Sequence, residues 1–318
     1  MKRRWFTVWS ALVITLALLG GGLLHAQFAY VVNQGSNNVS GYTIDPSTGA
    51  LTAITGSPFA LHKGSVPLSV AVDPSGKFAY VVDANDCSVS GYTINPSTGA
   101  LKPITGSPFA AGFSPFSVAV DPSGEFVYVA NSNGNNVSGY TIDPSTGALK
   151  PITGSPFAAG ISPFSVAVDP SGEFVYVANR NGNSVSGYTI DPSTGALKPI
   201  TGSPFTAGSG PSSVAVGPSG EFVYVANVNG NNVSGYTIDP STGALKPITG
   251  SPFAVGFSPY SVSVAPSGAF AYVVNFNGGS VSGYTIEPHT GVLTAITGSP
   301  FAAGSEPVSI AFAHPSPP

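Results

Sequence analysis

Groups able to do chemistry are scarce in this sequence, so they can be taken one at a time. Charged residues are 8% of 318, against roughly a quarter in an average soluble domain. Past the first four residues the chain has a single arginine, Arg180, and past His25 its histidines are His62, His289 and His314. Lys63 stands beside His62, and Glu306 is the last acid. Cys87 follows Asp86 with no basic neighbour to lower a thiol pKa, so it reads as unreactive. As the only cysteine it can form no disulfide within the chain. Serines are plentiful, but none sits in a G-x-S-x-G elbow. Asp83, Asn85 and Asp86 could offer oxygens to Ca²⁺, yet such residues in a turn usually bond their own backbone. No metal and no cofactor is expected.

The elements that must position these groups follow from composition. Glycine (40) and proline (30) together make up 22% of the chain, which excludes a mainly helical protein. With 42% hydrophobic residues, disorder is excluded as well. A β protein with many tight turns remains. Its formal charge of −4 and pI near 5.4 carry no electrostatic footprint for nucleic acid.

Lys2, Arg3 and Arg4 precede an apolar run from Trp5 to Leu24, followed by His25 and Ala26. This pattern reads as an export signal over residues 1–26, with an uncleaved membrane anchor as the alternative. The folded part, 27–318, is then expected in the periplasm, outside the cell or on its surface. No other membrane segment is expected.

Six repeats organise the rest. The tripeptide SGY places tyrosines at Tyr42, Tyr92, Tyr140, Tyr188, Tyr236 and Tyr284, spaced 50, 48, 48, 48 and 48. Residues 117–164 and 165–212 differ at only 6 of 48 positions. Within a unit, the runs SVAV, EFVYVA, NVSGYTI and ALKPIT read as strands, separated by the turn clusters DPSG, SNGNN and DPSTG. The first three are apolar on both faces and must be covered on both. The fourth carries Lys150 and Pro151, repeated as Lys102-Pro103, Lys198-Pro199 and Lys246-Pro247; such residues belong on an outer edge.

Stacking such sheets about an axis gives an all-β, six-bladed β-propeller of four-stranded antiparallel blades. The first unit begins at FAYVVN with no SVAV strand before it, while PVSIAFAHP (Pro307–Pro315) is an SVAV-type strand with no second strand after it. The C-terminal strand is therefore expected to complete the first blade and close the ring. A monomer is expected.

At EFVYVAN followed by NVSGYTIDPSTGAL, the chain resembles YVTN-repeat propellers and the lactonase-like family that includes 6-phosphogluconolactonase. The resemblance covers residues 27–315 and implies the fold, and it implies a possible lactone hydrolase. In that case Arg180 would polarise the carbonyl, with His62 or Glu306 as the base.

Strand parity places the loops after the second and fourth strands at one end, the top. Differences between units concentrate there: all six between 117–164 and 165–212 lie in or beside top loops. The residues before each innermost strand are Leu68, Phe116, Phe164, Ser212, Tyr260 and Val308, and they are expected to ring the channel mouth. Gln34, Ala84, Ser132, Arg180, Val228 and Phe276 come from the other loop set, and Lys63 lies near the same mouth. An aromatic concavity with a few polar groups suits a ligand. The expected role is a binding or interaction scaffold whose top-face loops take a small molecule, a glycan or a protein, with a structural role in a surface layer as a further alternative. The competing role for Phe116, Phe164 and Tyr260 is to cap the core beneath them.

Overall fold

The computed structural model describes residues 27–61 and 64–310. The segment expected to be an export signal (1–26), His62, Lys63 and residues 311–318 lie outside the described residues.

The third blade shows how the sequence builds each unit. Its inner strand Pro115–Val120, second strand Phe126–Asn131 and third strand Asn136–Ile142 pair antiparallel in that order. In the first turn, Asp121 Oδ1 accepts from the backbone N–H of Glu125 at 2.9 Å and of Phe126 at 2.7 Å. In the second, Asn135 takes a left-handed φ of 51°, a conformation asparagine tolerates better than most residues. The third turn is tied by Asp143 Oδ1, which accepts from Ser145 N and Thr146 N, each at 2.9 Å.

Where a single outer strand was expected, the chain forms two short pieces, Leu149–Pro151 and Phe157–Ala158, both paired to the third strand. Pro151 and Pro156 lack the N–H groups that would carry one ladder through. Lys150 and Pro151 are exposed on the edge, as their chemistry requires.

The same plan gives six sheets. Blades two to six span 67–110, 115–158, 163–206, 211–254 and 259–302. The first blade holds Gln27–Asn33, Asn38–Ile44, Leu51–Ala53 and Phe59–Ala60, with no inner strand among the described residues.

The core lies between blades, in five apolar clusters that correspond to five blade-to-blade joints. Between the second and third blades, Phe78, Tyr80 and Ile104 meet Tyr140, Ile142 and Leu149. Gly147 closes this joint from the third turn at φ +74°, where a Cβ would lie 2.4 Å from the Phe78 ring. Only glycine fits there. Tyr80 Oη donates to Gly147 O at 2.9 Å, and the bond recurs as Tyr30 to Gly99, Tyr128 to Gly195, Tyr176 to Gly243 and Tyr224 to Gly291.

Among the described residues, the sixth joint, from blade six to blade one, is not packed in this way. Leu51 is 52% exposed where its five counterparts are 6–8% exposed, and Phe270 is 38% exposed where Phe78, Phe126, Phe174 and Phe222 are 5–7%. A Cβ on Gly49 would meet nothing within 4 Å. Of the segment expected to close the ring, Pro307–Ile310 is described; it forms no strand there, and Ser263 Oγ donates to Ile310 O at 3.3 Å.

Candidate functional site: an aromatic channel mouth

The two loop sets expected at the top do meet. Ser132 N donates to Ser114 O at 2.8 Å, Arg180 N to Ser162 O at 2.8 Å and Phe276 N to Ser258 O at 2.9 Å. Ser114, Ser162 and Ser258 take left-handed φ values of 52°, 61° and 56°, and Gly210 does the same at 71°. That turn delivers the next residues, a proline and then the variable position, into the inner strand.

The variable positions converge on one arc of the mouth. Phe116 and Phe164 stack with ring centroids 3.5 Å apart at 29°. Phe164 meets Tyr260 edge to face at 6.3 Å and 83°, and Tyr260 lies 5.8 Å from Phe276. The Arg180 guanidinium carbon sits 4.5 Å from the centre of the Phe164 ring, within range of a cation–π attraction. Burial pushes the Tyr260 phenol pKa up, and the nearby positive charge of Arg180 opposes this. Between these rings, Ser212 is buried and its Oγ lies 3.2 Å from Ala226 O and 3.1 Å from Pro259 O. Because Ser212 carries no ring, Phe164 of blade four and Tyr260 of blade six reach each other across blade five.

The remaining predicted residues are placed differently. Ser132 Oγ lies 3.0 Å from Ser162 Oγ, beside the aromatic arc. Leu68 packs on the cluster between blades two and three, which is a core-capping role. Gln34 is half-buried and its Oε1 has no hydrogen-bond partner. Ala84, Val228 and Val308 are half-buried, and Glu306 is exposed with φ 53°. His62 and Lys63 lie outside the described residues. His289 belongs to a bottom turn, where its backbone N–H donates to Glu287 Oε2 at 3.1 Å.

The calcium candidates are occupied with their own loop. Asp83 Oδ1 accepts from Val66 N, Asn85 N and Asp86 N at 3.0, 3.1 and 3.2 Å. Among the described residues no group of three His, Cys, Asp or Glu is gathered as a metal site. Cys87 takes φ 50° at the place where Asn135, Asn183 and Asn231 stand in later blades.

The sequence reading did not single out Phe113, Ile161 and Phe257, which stand 72%, 60% and 63% exposed on the top rim. Their signal was present: position 161 is one of the few that differ between two nearly identical units. Residues that vary on an otherwise fixed unit and remain apolar while exposed are candidates for contact with a partner.

Six radial sheets, each of antiparallel strands, define a β-propeller. The sequence profile described as "Lactonase, 7-bladed beta-propeller" matches residues 25–160, 157–260 and 201–312, and the chain belongs to this lactonase family of propellers. Its described residues form six sheets where the family description gives seven blades. No curated protein matches the sequence.

Among solved structures, it is similar to a Lactobacillus plantarum protein at 18% identity and TM-score 0.74, over 88% of this chain and 83% of that one. It is also similar to the Pseudomonas aeruginosa periplasmic gluconolactonase PpgL, at 20% identity and TM-score 0.72, over 88% and 84%. A putative 6-phosphogluconolactonase from Bacteroides uniformis follows at 16% identity and TM-score 0.58, over 87% and 95%. At these identities the likeness is one of fold.

Proposed function

We propose that the chain is an exported propeller whose top face binds a ligand at the channel mouth. The observation that carries this reading is the arc Phe116, Phe164, Tyr260 and Phe276 with Arg180 over the Phe164 ring. Half-buried Phe116 and Tyr260 offer apolar edges to an incoming ring or aliphatic chain. Arg180 adds a fork of donors for a carbonyl or hydroxyl oxygen. The turns that hold these residues are fixed by repeat-wide hydrogen bonds, so the variable side chains ride on a rigid support.

A second reading has a specific observation behind it, because the family is that of lactonases. In this reading the same mouth opens a sugar lactone, with Arg180 polarising the carbonyl and His62 or Glu306 accepting a proton from the attacking water.

One experiment separates the two. The chain itself supplies tolerated replacements, since Ser132 stands where blade four has Arg180 and Ser212 stands where blade six has Tyr260. Arg180→Ser and Tyr260→Ser should therefore keep the melting temperature close to that of the parent. Glucono-1,5-lactone is the probe, followed both for binding by calorimetry and for ring opening against buffer. The binding reading expects saturable heat without accelerated opening, weakened about tenfold or more in either variant, as loss of one well-made polar or aromatic contact would give. Accelerated opening that Arg180→Ser removes selects the hydrolase. No heat and no acceleration with this probe or a panel of neutral oligosaccharides would sink both readings.

A further inference from the structure

Blades two to four close their first turn with a buried aspartate. In blade three, Asp121 Oδ1 accepts from Glu125 N and Phe126 N at 2.9 and 2.7 Å, while its Oδ2 accepts from Ser123 N at 3.0 Å. Blade four repeats the set with Asp169 and the N–H groups of Ser171, Glu173 and Phe174. In blade two, Asp73 accepts from Ser75 N and Phe78 N. Blade five keeps the donor residues, as Ser219, Glu221 and Phe222, but has Gly217 in place of the aspartate. Its turn still closes through the backbone, with Gly217 N donating to Phe222 O at 2.8 Å and Gly220 N to Gly217 O at 2.9 Å. Among the described residues no side chain accepts from Ser219 N or Phe222 N, and Glu221 N keeps only Ser219 Oγ, at 3.3 Å.

A cavity of about 290 Å³ opens at this place, between blades five and six. Gly217, Ser219, Glu221 and Phe222 all border it, and Val264, Ile286 and Pro288 of blade six give it an apolar wall. Gly217 does not take a left-handed φ, so the backbone does not require a glycine there. A Cβ on Gly217 would meet only Phe222 O, at 3.6 Å, which leaves room for a further group.

We infer that this cavity is a binding site for a short-chain monocarboxylic acid in its anionic form. The carboxylate of the ligand takes the place that the aspartate carboxylate holds in blades two to four. One oxygen accepts from Glu221 N and Phe222 N and the other from Ser219 N, a concavity of backbone donors of the kind that holds anions. Hydrogen bonds to an ionised acceptor are the strong ones. The alkyl chain lies on the apolar wall. Exposed Glu221 does not exclude a second carboxylate, because Glu125 and Glu173 stand exposed in the same place beside Asp121 and Asp169. Blade six makes a similar loss with Ala265, but it keeps a Cβ, and the cavity is bordered by Gly217. The site lies at the bottom of the propeller, so the inference does not depend on what the mouth binds.

Thermal melting of the full chain tests it, with sodium acetate, propionate and butyrate as probes and sodium chloride at equal ionic strength as the reference. A ligand that binds only the folded chain raises Tm with its concentration. Butyrate should do so at the lowest concentrations, its apparent Kd falling below that of acetate by up to about fourfold for each added methylene buried. Gly217→Asp restores the residue of blades two to four; it should melt above the parent and lose the response. Ala265→Asp, the same restoration in blade six, should keep it. No rise beyond that in chloride, an equal rise in Gly217→Asp, or loss of the response in Ala265→Asp would overturn the inference. So would a Gly217→Asp chain that melts below the parent, since the turn would then be unable to seat a carboxylate. An equal rise with sulfate and no dependence on chain length would overturn the assignment to a carboxylic acid.

Discussion

The joint between blades two and three and the gap between blades six and one are made from nearly the same residues, yet only the first is packed. Gly147 and Gly49 stand in identical DPSTGAL segments. One faces the Phe78 ring at a distance no Cβ could share, and the other faces open space. Leu149 is buried and Leu51 is half-exposed. Burial in a propeller is thus a property of adjacency: a blade has no core of its own and acquires one from the next blade.

The comparison breaks most visibly at the leucines. Leu149→Ala empties a packed joint and is expected to cost about 2–5 kcal/mol. Leu51→Ala should cost less than about 1 kcal/mol, in the range of surface substitutions. Chemical denaturation of the two variants beside the parent measures both, and equal costs would mean that the sixth joint is packed in solution.

The glycines sharpen the same contrast. Gly49→Ala carries only the left-handed backbone penalty of about 1–2 kcal/mol. Gly147→Ala adds overpacking against Phe78, about 1–3 kcal/mol more. A difference in melting temperature between these two variants, with Gly147→Ala the lower, is the expected result.

The smallest effect is a dependence on alkaline pH. Burial pushes the phenols of Tyr80, Tyr128, Tyr176 and Tyr224 upward, and it pushes Tyr188 up to about 12. A raised folded pKa means that the unfolded chain loses its proton first. Stability is therefore complete below the unfolded value of about 10 and is lost as pH rises from there through the folded value. Melting temperature should be flat on this account below pH 10 and fall above it. The tyrosinate signal of these five residues should appear together with unfolding; titration of these five near pH 10 in a folded chain would contradict the burial of these joints.

Much of this was legible in the sequence. SGY spacing counted the blades, and Lys150-Pro151 marked the outer edge. Loop parity put Arg180 and Phe276 beside the residues that lead into the inner strands, and their backbone N–H groups bond Ser162 O and Ser258 O. Three things were not legible. The division of the outer strand needed the geometry of two prolines seen together. Leu68 looked equivalent to Phe116, but it packs into a joint. Phe164 and Tyr260, 96 residues apart in the sequence, touch because Ser212 leaves the space between them empty, and a spacing argument that treats positions singly does not register an absent ring.

The sequence by itself determined the repeat, the strand and turn types, the blade count and the end of the molecule that varies. All of these follow from local propensity and period 2 alternation within a few residues. Only the tertiary structure decided which identical residues are buried, which variable residues meet at the mouth, and which joint remains to be made. Burial and contact depend on the neighbour that closure of a ring supplies, and six nearly equal units encode the same faces without stating which of them will find one.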